Sequence, residues 1–287
     1  MRILLTGSTG FLGQNIVAEA IRQNHQVMTL RHTEIDSCKN RVDEFSPEIL
    51  VHCAWGGVSA ADRNNPELQK QNIDLSIKLA RMAPYKQIIA IGSQDEYGYL
   101  DNIIREDHAL TPLSEYAKAK IKVSNYYETY AKEQGVEFQW IRLFNMYGPG
   151  QASNWVIPAV VEKCLSGAPS MQTTLGEQRY AYLYVGDFAR AIVSMFGKKE
   201  KSGIYNLSAS NPVALRDLFN LIKELTSSKI EFEYGALPYR KGQSMMICGD
   251  ATKFKNAFGD FEKTDLRKGL EQTILNIKNQ LFSKASS

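Results

Sequence analysis

The sequence predicts an α/β fold: a doubly wound parallel sheet with a smaller C-terminal α+β lobe. Three observations predict it. Short apolar runs alternate with helical patterns through the first half. A glycine turn joins the first run to the first helix. The texture changes after Gly148-Pro149-Gly150. Strand–helix alternation of this kind means βαβ units with right-handed crossovers.

Ile3-Leu4-Leu5 reads as a strand, followed by glycines and a helical pattern over Asn15 to Arg22. Gln26 to Leu30 is a second strand and Ile49 to Ala54 a third. Pro66 to Met82 carries Leu68, Ile73, Leu75, Ile77 and Leu79 at helical spacing. Gln87 to Ile91 is a strand, Tyr116 to Gln134 a long helix stopped by Gly135, and Phe138 to Leu143 another strand. Val156 to Leu165 is helical. Tyr180 to Val185 reads as a strand leading into a helix over Asp187 to Phe196, and Ile204 to Leu207 as one more strand. Pro212 to Thr226 is an amphipathic helix with Leu215, Leu218, Ile222 and Leu225 on one face. The tail after Phe282 is expected to fray. These patterns divide the chain into a first domain over 1–150, rejoined by 180–210, and a second lobe from 151–179 and 211–287.

A chain of 287 residues, 44% hydrophobic and 23% charged, is an ordinary globular composition and excludes disorder or a small disulfide scaffold. Lys and Arg number 34 against 31 Asp and Glu, so the net charge is +3 and no nucleic-acid or membrane partner is expected. Cys38, Cys53, Cys164 and Cys248 have no metal-ligand or disulfide spacing, so no metal is expected. The N-terminus lacks a signal-peptide pattern and no apolar run approaches ~20 residues, which predicts a cytoplasmic protein.

Gly7-Ser8-Thr9-Gly10-Phe11-Leu12-Gly13 lies directly between the first strand and the first helix. Glycine permits the tight turn and lets main chain approach a pyrophosphate, while the helix start presents free N–H groups to the anion. Gly7, Thr9, Gly10, Phe11, Leu12 and Gly13 are therefore candidate dinucleotide-binding residues. The second strand ends in Thr29-Leu30-Arg31, with no carboxylate before Glu34. Arg31 suits a 2′-phosphate, which favours NADP over NAD. Glu34 or Asp36 swinging in is the alternative, and it keeps NAD possible.

Tyr116 and Lys120 are four apart on one helix and so share a face. An ammonium beside a phenol lowers the tyrosine pKa and fits it for proton transfer. Ser93 follows the Gln87 to Ile91 strand, at the end where ligands of open parallel sheets bind. Its hydroxyl is placed to hydrogen-bond a substrate oxygen beside Tyr116.

With Arg142-Leu143-Phe144-Asn145-Met146-Tyr147-Gly148-Pro149 and Tyr184-Val185-Gly186-Asp187, these motifs resemble the extended short-chain dehydrogenase/reductases. The resemblance covers nearly the whole chain. It implies a Rossmann-type domain with a substrate-binding second lobe, acting on nucleotide-linked sugars. Ser93, Tyr116 and Lys120 match the catalytic triad. Asn145, Arg179 and Arg240 sit where the family contacts the substrate diphosphate or nucleotide, Arg179 being one residue out of the usual spacing. Phe144 falls near the nicotinamide edge. Relatives often dimerise through two helices per subunit, so a homodimer is possible.

Family members differ in what else sits by the sugar. Many dehydratases carry Thr-Asp-Glu where this chain has Gln94 and Asp95 after Ser93, and an amide such as Gln94 supplies no labile proton. Asp95 falls on the family's glutamate position, the one acid some dehydratases use, so dehydration is disfavoured but stays open; Asp95 or Glu96 can also be plain solvated carboxylates. His52-Cys53-Ala54-Trp55-Gly56-Gly57 is similar to reductases of nucleotide-activated 4-keto-6-deoxyhexoses, which places Ala54 and Trp55 with the cofactor. The expected activity is NADPH-dependent C4 ketoreduction. An NAD-dependent 4-epimerase is the alternative, and a cofactor-binding module without chemistry is further off. Gln94 and Asp95 are candidate sugar contacts, and Trp155 and Val156 candidate walls of the nucleotide site.

Overall fold

The computed structural model describes residues 1–59 and 61–285. In chain order its elements are β1 (Arg2–Thr6), α1 (Phe11–Arg22), β2 (Gln26–Leu30), α2 (Lys39–Phe45), β3 (Ile49–His52), α3 (Pro66–Ala80), β4 (Gln87–Ile91), β5 (Ile103–Ile104), α4 (Glu115–Gln134), β6 (Glu137–Leu143) and β7 (Met146–Tyr147). They continue with α5 (Val156–Leu165), β8 (Ser170–Thr173), β9 (Arg179–Tyr180), β10 (Leu183–Tyr184), α6 (Val185–Ser194), β11 (Gly203–Leu207), β12 (Val213–Ala214), α7 (Leu215–Thr226), β13 (Glu231–Tyr234), β14 (Met246–Gly249), α8 (Thr252–Phe258) and α9 (Leu266–Ala285).

Six strands form the central sheet in the order β11-β6-β4-β3-β1-β2. All their pairings are parallel. β1, β3 and β4 read as unbroken apolar runs because helices cover both sides of them. One core lies under α1 and α6, with Ile3, Leu5, Ile16, Val51, Ile89 and Phe188. The other lies under α3 and α4, with Leu4, Leu50, Ile88, Val123, Tyr127 and Trp140.

The helix ends are set by local chemistry. Asn65 caps α3 by accepting from the Leu68 N–H, with Pro66 at the first position. Ser114 caps α4 through the Ala117 N–H, and Gly135, at φ 67°, ends it.

The sheet order reverses at β1. The chain steps from β1 to β2 on one side and then crosses to β3 on the other. The register pairs Thr6 with Leu30 and with His52, and His52 with Ala90. Gly7, Arg31, Cys53 and Ile91 therefore reach the same edge of the sheet, at the switch point where open α/β sheets bind ligands.

A third core joins α5, α7 and α9 through Ile157, Val160, Leu218, Phe219, Leu270 and Ile274. β8 and β13 pair beside it. The assignment of everything after 211 to the second lobe does not match the packing of residues 251–261. Ala251, Phe254 and Phe261 pack in the core under α1 and α6, with Tyr205 and Leu207 of β11. The expected strand over 180–185 is also two pieces. Arg179–Tyr180 pairs with β14 and β12, whereas Leu183–Tyr184 pairs with β7. The chain changes sheets at Ala181 and Tyr182. α9 continues past Phe282 to Ala285, where fraying was expected, and residues 286–287 lie outside the described residues. Among the described residues no helix is long and apolar enough to cross a membrane.

Candidate active site

The glycine turn forms a close-fitting cradle. Gly7 has φ +77°, and a Cβ there would lie 2.7 Å from the Ala54 nitrogen. A Cβ on Gly13 would lie 2.1 Å from the Gly7 carbonyl oxygen. Only glycine lets these segments approach so closely. At Gly10 an added Cβ would meet nothing nearer than 3.4 Å. Gly10, the residue before α1, supplies no side-chain cap, so the start of α1 suits a pyrophosphate. Thr9 is exposed on this turn, and the Ala54 N–H faces the Thr6 hydroxyl at 3.4 Å.

Arg31 is exposed at the end of β2, next to this turn. Its own N–H donates to Glu34 Oε2 at 2.8 Å, and Arg41 takes Glu34 Oε1 at 3.1 Å. Asp36 pairs with Lys78. Both carboxylates of this segment are thus ion-paired.

The start of α4 carries Tyr116 and Lys120, both buried. Burial pushes the Tyr116 phenol up and the Asp95 carboxylate pushes it further. A hydrogen bond from Ser93 and the Arg63 guanidinium pull it back, and Glu96 raises it slightly. Lys120 Nζ donates to the Ile91 carbonyl at 2.7 Å and sits 3.5 Å from the centre of the Trp55 ring, but 5.6 Å from that of Tyr116. A buried ammonium turns to the strongest acceptor within reach, here the last carbonyl of β4. Burial also holds Lys120 down to about 7, although Glu96 pulls it upward.

Ser93 is held from behind. Its N–H donates to Glu96 Oε1 at 2.8 Å, Trp140 Nε1 bonds the same oxygen at 2.9 Å, and Arg142 Nε reaches Glu96 Oε2 at 2.8 Å. Glu96 is 0% exposed, which overturns its reading as a solvated loop carboxylate. Burial raises its pKa against the pull of Arg142.

Tyr116, Lys120, Ser93, Arg63 and Trp55 border one cleft of about 510 Å³, together with Gly7, Gly10, Phe11, Leu12 and Gly13. Trp155 and Val156 stand at its rim, 47% and 41% exposed. Gln94, Asp95 and Asn145 line it, and Gln94 Nε2 lies 3.5 Å from Asn145 Oδ1. Gln94, Asn145 and Gln151 border the cleft, and each carries one buried side-chain polar atom without a partner among the described residues: Gln94 Oε1, Asn145 Nδ2 and Gln151 Oε1.

Of the expected cofactor contacts, Thr9, Arg31 and Ala54 do not border this cleft, and two expected substrate contacts are not brought here. Arg179 is exposed and donates to the Pro212 carbonyl at 3.0 Å. Arg240 is also exposed and reaches the site only as a charge that lowers the Tyr180 pKa. Neither borders the cleft among the described residues, whereas Tyr180 and Tyr182 do. Phe144 borders the cleft, but its ring packs into a small core with Tyr97, Leu100 and Ile104.

A model described as the NAD dependent epimerase/dehydratase family matches residues 3–208. The chain belongs to this family. A putative UDP-glucose 4-epimerase of Methanocaldococcus jannaschii is 25% identical, over 96% of this chain and 98% of that one. A GDP-L-colitose synthase of Yersinia pseudotuberculosis is 26% identical, over 97% and 99%. Among solved structures, the UDP-glucose 4-epimerase of Thermotoga maritima, crystallised with UDP-glucose, superposes with a TM-score of 0.88 at 26% identity, covering 98% of this chain and all of that one.

For this member of the epimerase/dehydratase family, sequence reasoning missed Arg63, Gln151 and Tyr182. Arg63 lies between β3 and α3, pairs with Asp95, and places its guanidinium carbon 5.0 Å from the centre of the Tyr116 ring. Its position after a central strand was the one available signal, since no motif spacing marks it.

Proposed function

We propose that the protein is an NADPH-dependent reductase acting on the C4 keto group of a nucleotide-linked 4-keto-6-deoxyhexose. The setting of Arg31 carries this reading. Arg31 is exposed at the end of β2, while Glu34 is paired with Arg41 and Asp36 with Lys78. That suits the 2′-phosphate of NADPH, the cofactor a net reduction consumes.

The glycine cradle and the start of α1 would hold the pyrophosphate, Lys120 the ribose hydroxyls, and Ala54 and Trp55 the nicotinamide end. When bound, the nicotinamide supplies hydride to the carbonyl carbon. The chain's own residues handle the oxygen. Ser93 donates to it, and Tyr116 gives it a proton as charge gathers there. Burial and the Asp95 carboxylate raise the pKa of the phenol, which suits a proton donor. Gln94, Asn145 and Gln151 border the cleft and offer the sugar amide side chains. Asp95, engaged by Arg63, is not free to reach a leaving hydroxyl, which weighs against dehydration.

A 4-epimerase is the second reading, favoured by likeness to the Thermotoga maritima enzyme over nearly the whole chain. The deciding experiment offers the purified protein a panel of nucleotide 4-keto-6-deoxy sugars with NADPH or NADH. Stoichiometric loss of NADPH absorbance supports the reductase. Interconversion of UDP-glucose and UDP-galactose by protein that retains NAD, with no net oxidation of NADPH, overturns it.

A further inference from the structure

We propose that Glu96 is a positioning residue: its carboxylate holds the Ser93 N–H and so fixes the hydroxyl that meets the substrate oxygen. This rests on the reading of Ser93 as a donor to that oxygen. Glu96 is buried and does not border the cleft, so it acts through Ser93.

Ser93 and Glu96 form a reciprocal pair across the turn at Gln94–Tyr97. The Ser93 hydroxyl accepts the Asp95 N–H at 3.2 Å, which leaves its hydrogen for another acceptor. Glu96 Oε1 reaches back to the Ser93 N–H at 2.8 Å. The segments around this pair approach closely. A Cβ on Gly92 would lie 2.6 Å from Glu96 Oε1 and 2.3 Å from Trp140 Nε1.

The carboxylate is aimed from β6. Trp140 Nε1 donates to Oε1 at 2.9 Å and Arg142 Nε to Oε2 at 2.8 Å. Arg142 is fixed in turn. Its Nη1 donates to the Tyr97 hydroxyl at 2.9 Å, and that hydroxyl donates to Asn206 Oδ1 of β11 at 2.6 Å. Asn206 Nδ2 donates to the Ile104 carbonyl of β5 at 2.8 Å. Three elements of the fold thus converge on one carboxylate.

The partners of that carboxylate among the described residues are all N–H donors, so both its oxygens act as acceptors and the ionised form fits the site. A buried ion pair adds little stability over an apolar pair of the same size. What it supplies here is direction. Moving the Ser93 N–H away would strip a buried carboxylate of one of its donors. Glutamine at this position keeps the shape but offers one oxygen to donors on two sides. The Arg142 cation takes that oxygen, and the amide nitrogen is left facing the Ser93 N–H.

The test is a double-mutant cycle of Glu96→Gln with Ser93→Ala, read as kcat and KM. Glu96→Gln is expected to lower kcat about tenfold, the scale of one hydrogen bond to a charged group, with the cofactor KM held within about twofold. In the Ser93→Ala background the same change should cost less than about twofold, because the hydroxyl it positions is gone. Hydrogen exchange at the Ser93 amide, followed by NMR without substrate, should quicken about tenfold or more in Glu96→Gln. Should Glu96→Gln fold poorly, Trp140→Phe removes one donor to the carboxylate and gives a smaller loss with the same dependence on Ser93. A loss equally large with and without the Ser93 hydroxyl overturns the proposal, for either variant. So does a folded Glu96→Gln with parental kcat, or an unchanged exchange rate at Ser93. A protein that interconverts UDP-glucose and UDP-galactose without consuming NADPH refutes the reductase reading, and the same cycle run on that reaction still decides this one.

Discussion

Lys120 Nζ sits 3.5 Å from the centre of the Trp55 ring while donating to the Ile91 carbonyl. Trp55 is itself fixed, because its indole N–H donates to Gln69 Oε1 at 3.0 Å. Asn72 brackets the neighbouring Gly56 through both the N–H and the carbonyl, each at 2.9 Å. The lysine is therefore positioned by a loop that α3 holds in place. Trp55→Ala removes a desolvated cation–π contact worth about 1–2 kcal/mol and is expected to lower kcat about tenfold. Trp55→Phe retains most of it. Steady-state kinetics of both variants test this, and an unchanged kcat for Trp55→Ala would contradict it.

Tyr116→Phe removes the transferable proton but keeps the ring against Arg63. Turnover should fall by about 10²–10⁴-fold while cofactor binding stays within a small factor. Ser93→Ala should cost less, because it removes one donor to the oxygen and no proton source. Equilibrium binding of NADPH alongside single-turnover reduction separates the two effects. Tyr116→Phe with residual turnover above a tenth of the parent would rule out its assigned role.

Arg31→Ala should weaken NADPH binding by about ten- to a hundredfold, the scale of one or two charge-assisted hydrogen bonds, and leave NADH nearly unchanged. Dissociation constants for both cofactors, measured at one fixed salt concentration, provide the check. Equal loss for NADH and NADPH would show that Arg31 reads no phosphate.

His52 predicts the acid limb of stability. It is buried between the Thr6 hydroxyl at 2.8 Å and the Ser76 hydroxyl at 2.9 Å, and burial holds its pKa down to about 3. An unfolded histidine titrates near ~6.5, so between those values the unfolded chain binds more protons. The contribution is complete above about pH 6.5 and declines as pH falls towards 3, by up to about 1.4 kcal/mol per unit. Urea midpoints at pH 7 and pH 5 should differ less in His52→Gln than in the parent. An equal drop in both would assign the acid limb to other groups.

Local signals made much of the sheet legible. Gln26–Leu30, Gln87–Ile91 and Val156–Leu165 appear with the boundaries that apolar runs and helical spacing gave them. The helix α2 and the two-residue strands β5, β7 and β12 carried too few residues for any period to register. The strand over 180–185 failed because an apolar run cannot reveal that its two halves pair with different partners. In the site, the glycine turn, Ser93, Tyr116, Lys120, Gln94, Asp95 and Asn145 were visible as motif positions, and all border one cleft. Arg179 and Arg240 were placed by motif position too, yet both lie on the surface. Spacing along a chain does not say which way a side chain turns.

The sequence alone determined the alternation of strands and helices that a parallel sheet requires, the glycine turn at the first crossover and the four-residue spacing of Tyr116 and Lys120, because each shows as a pattern within a few residues. Only the tertiary structure decided that Lys120 answers to Ile91 and Trp55, that Arg63 and Asp95 flank the phenol, and that Glu96 is buried behind Ser93. Those relations join segments about 30 to 65 residues apart. They are fixed by which buried charges find partners once the sheet closes, a choice no local pattern encodes.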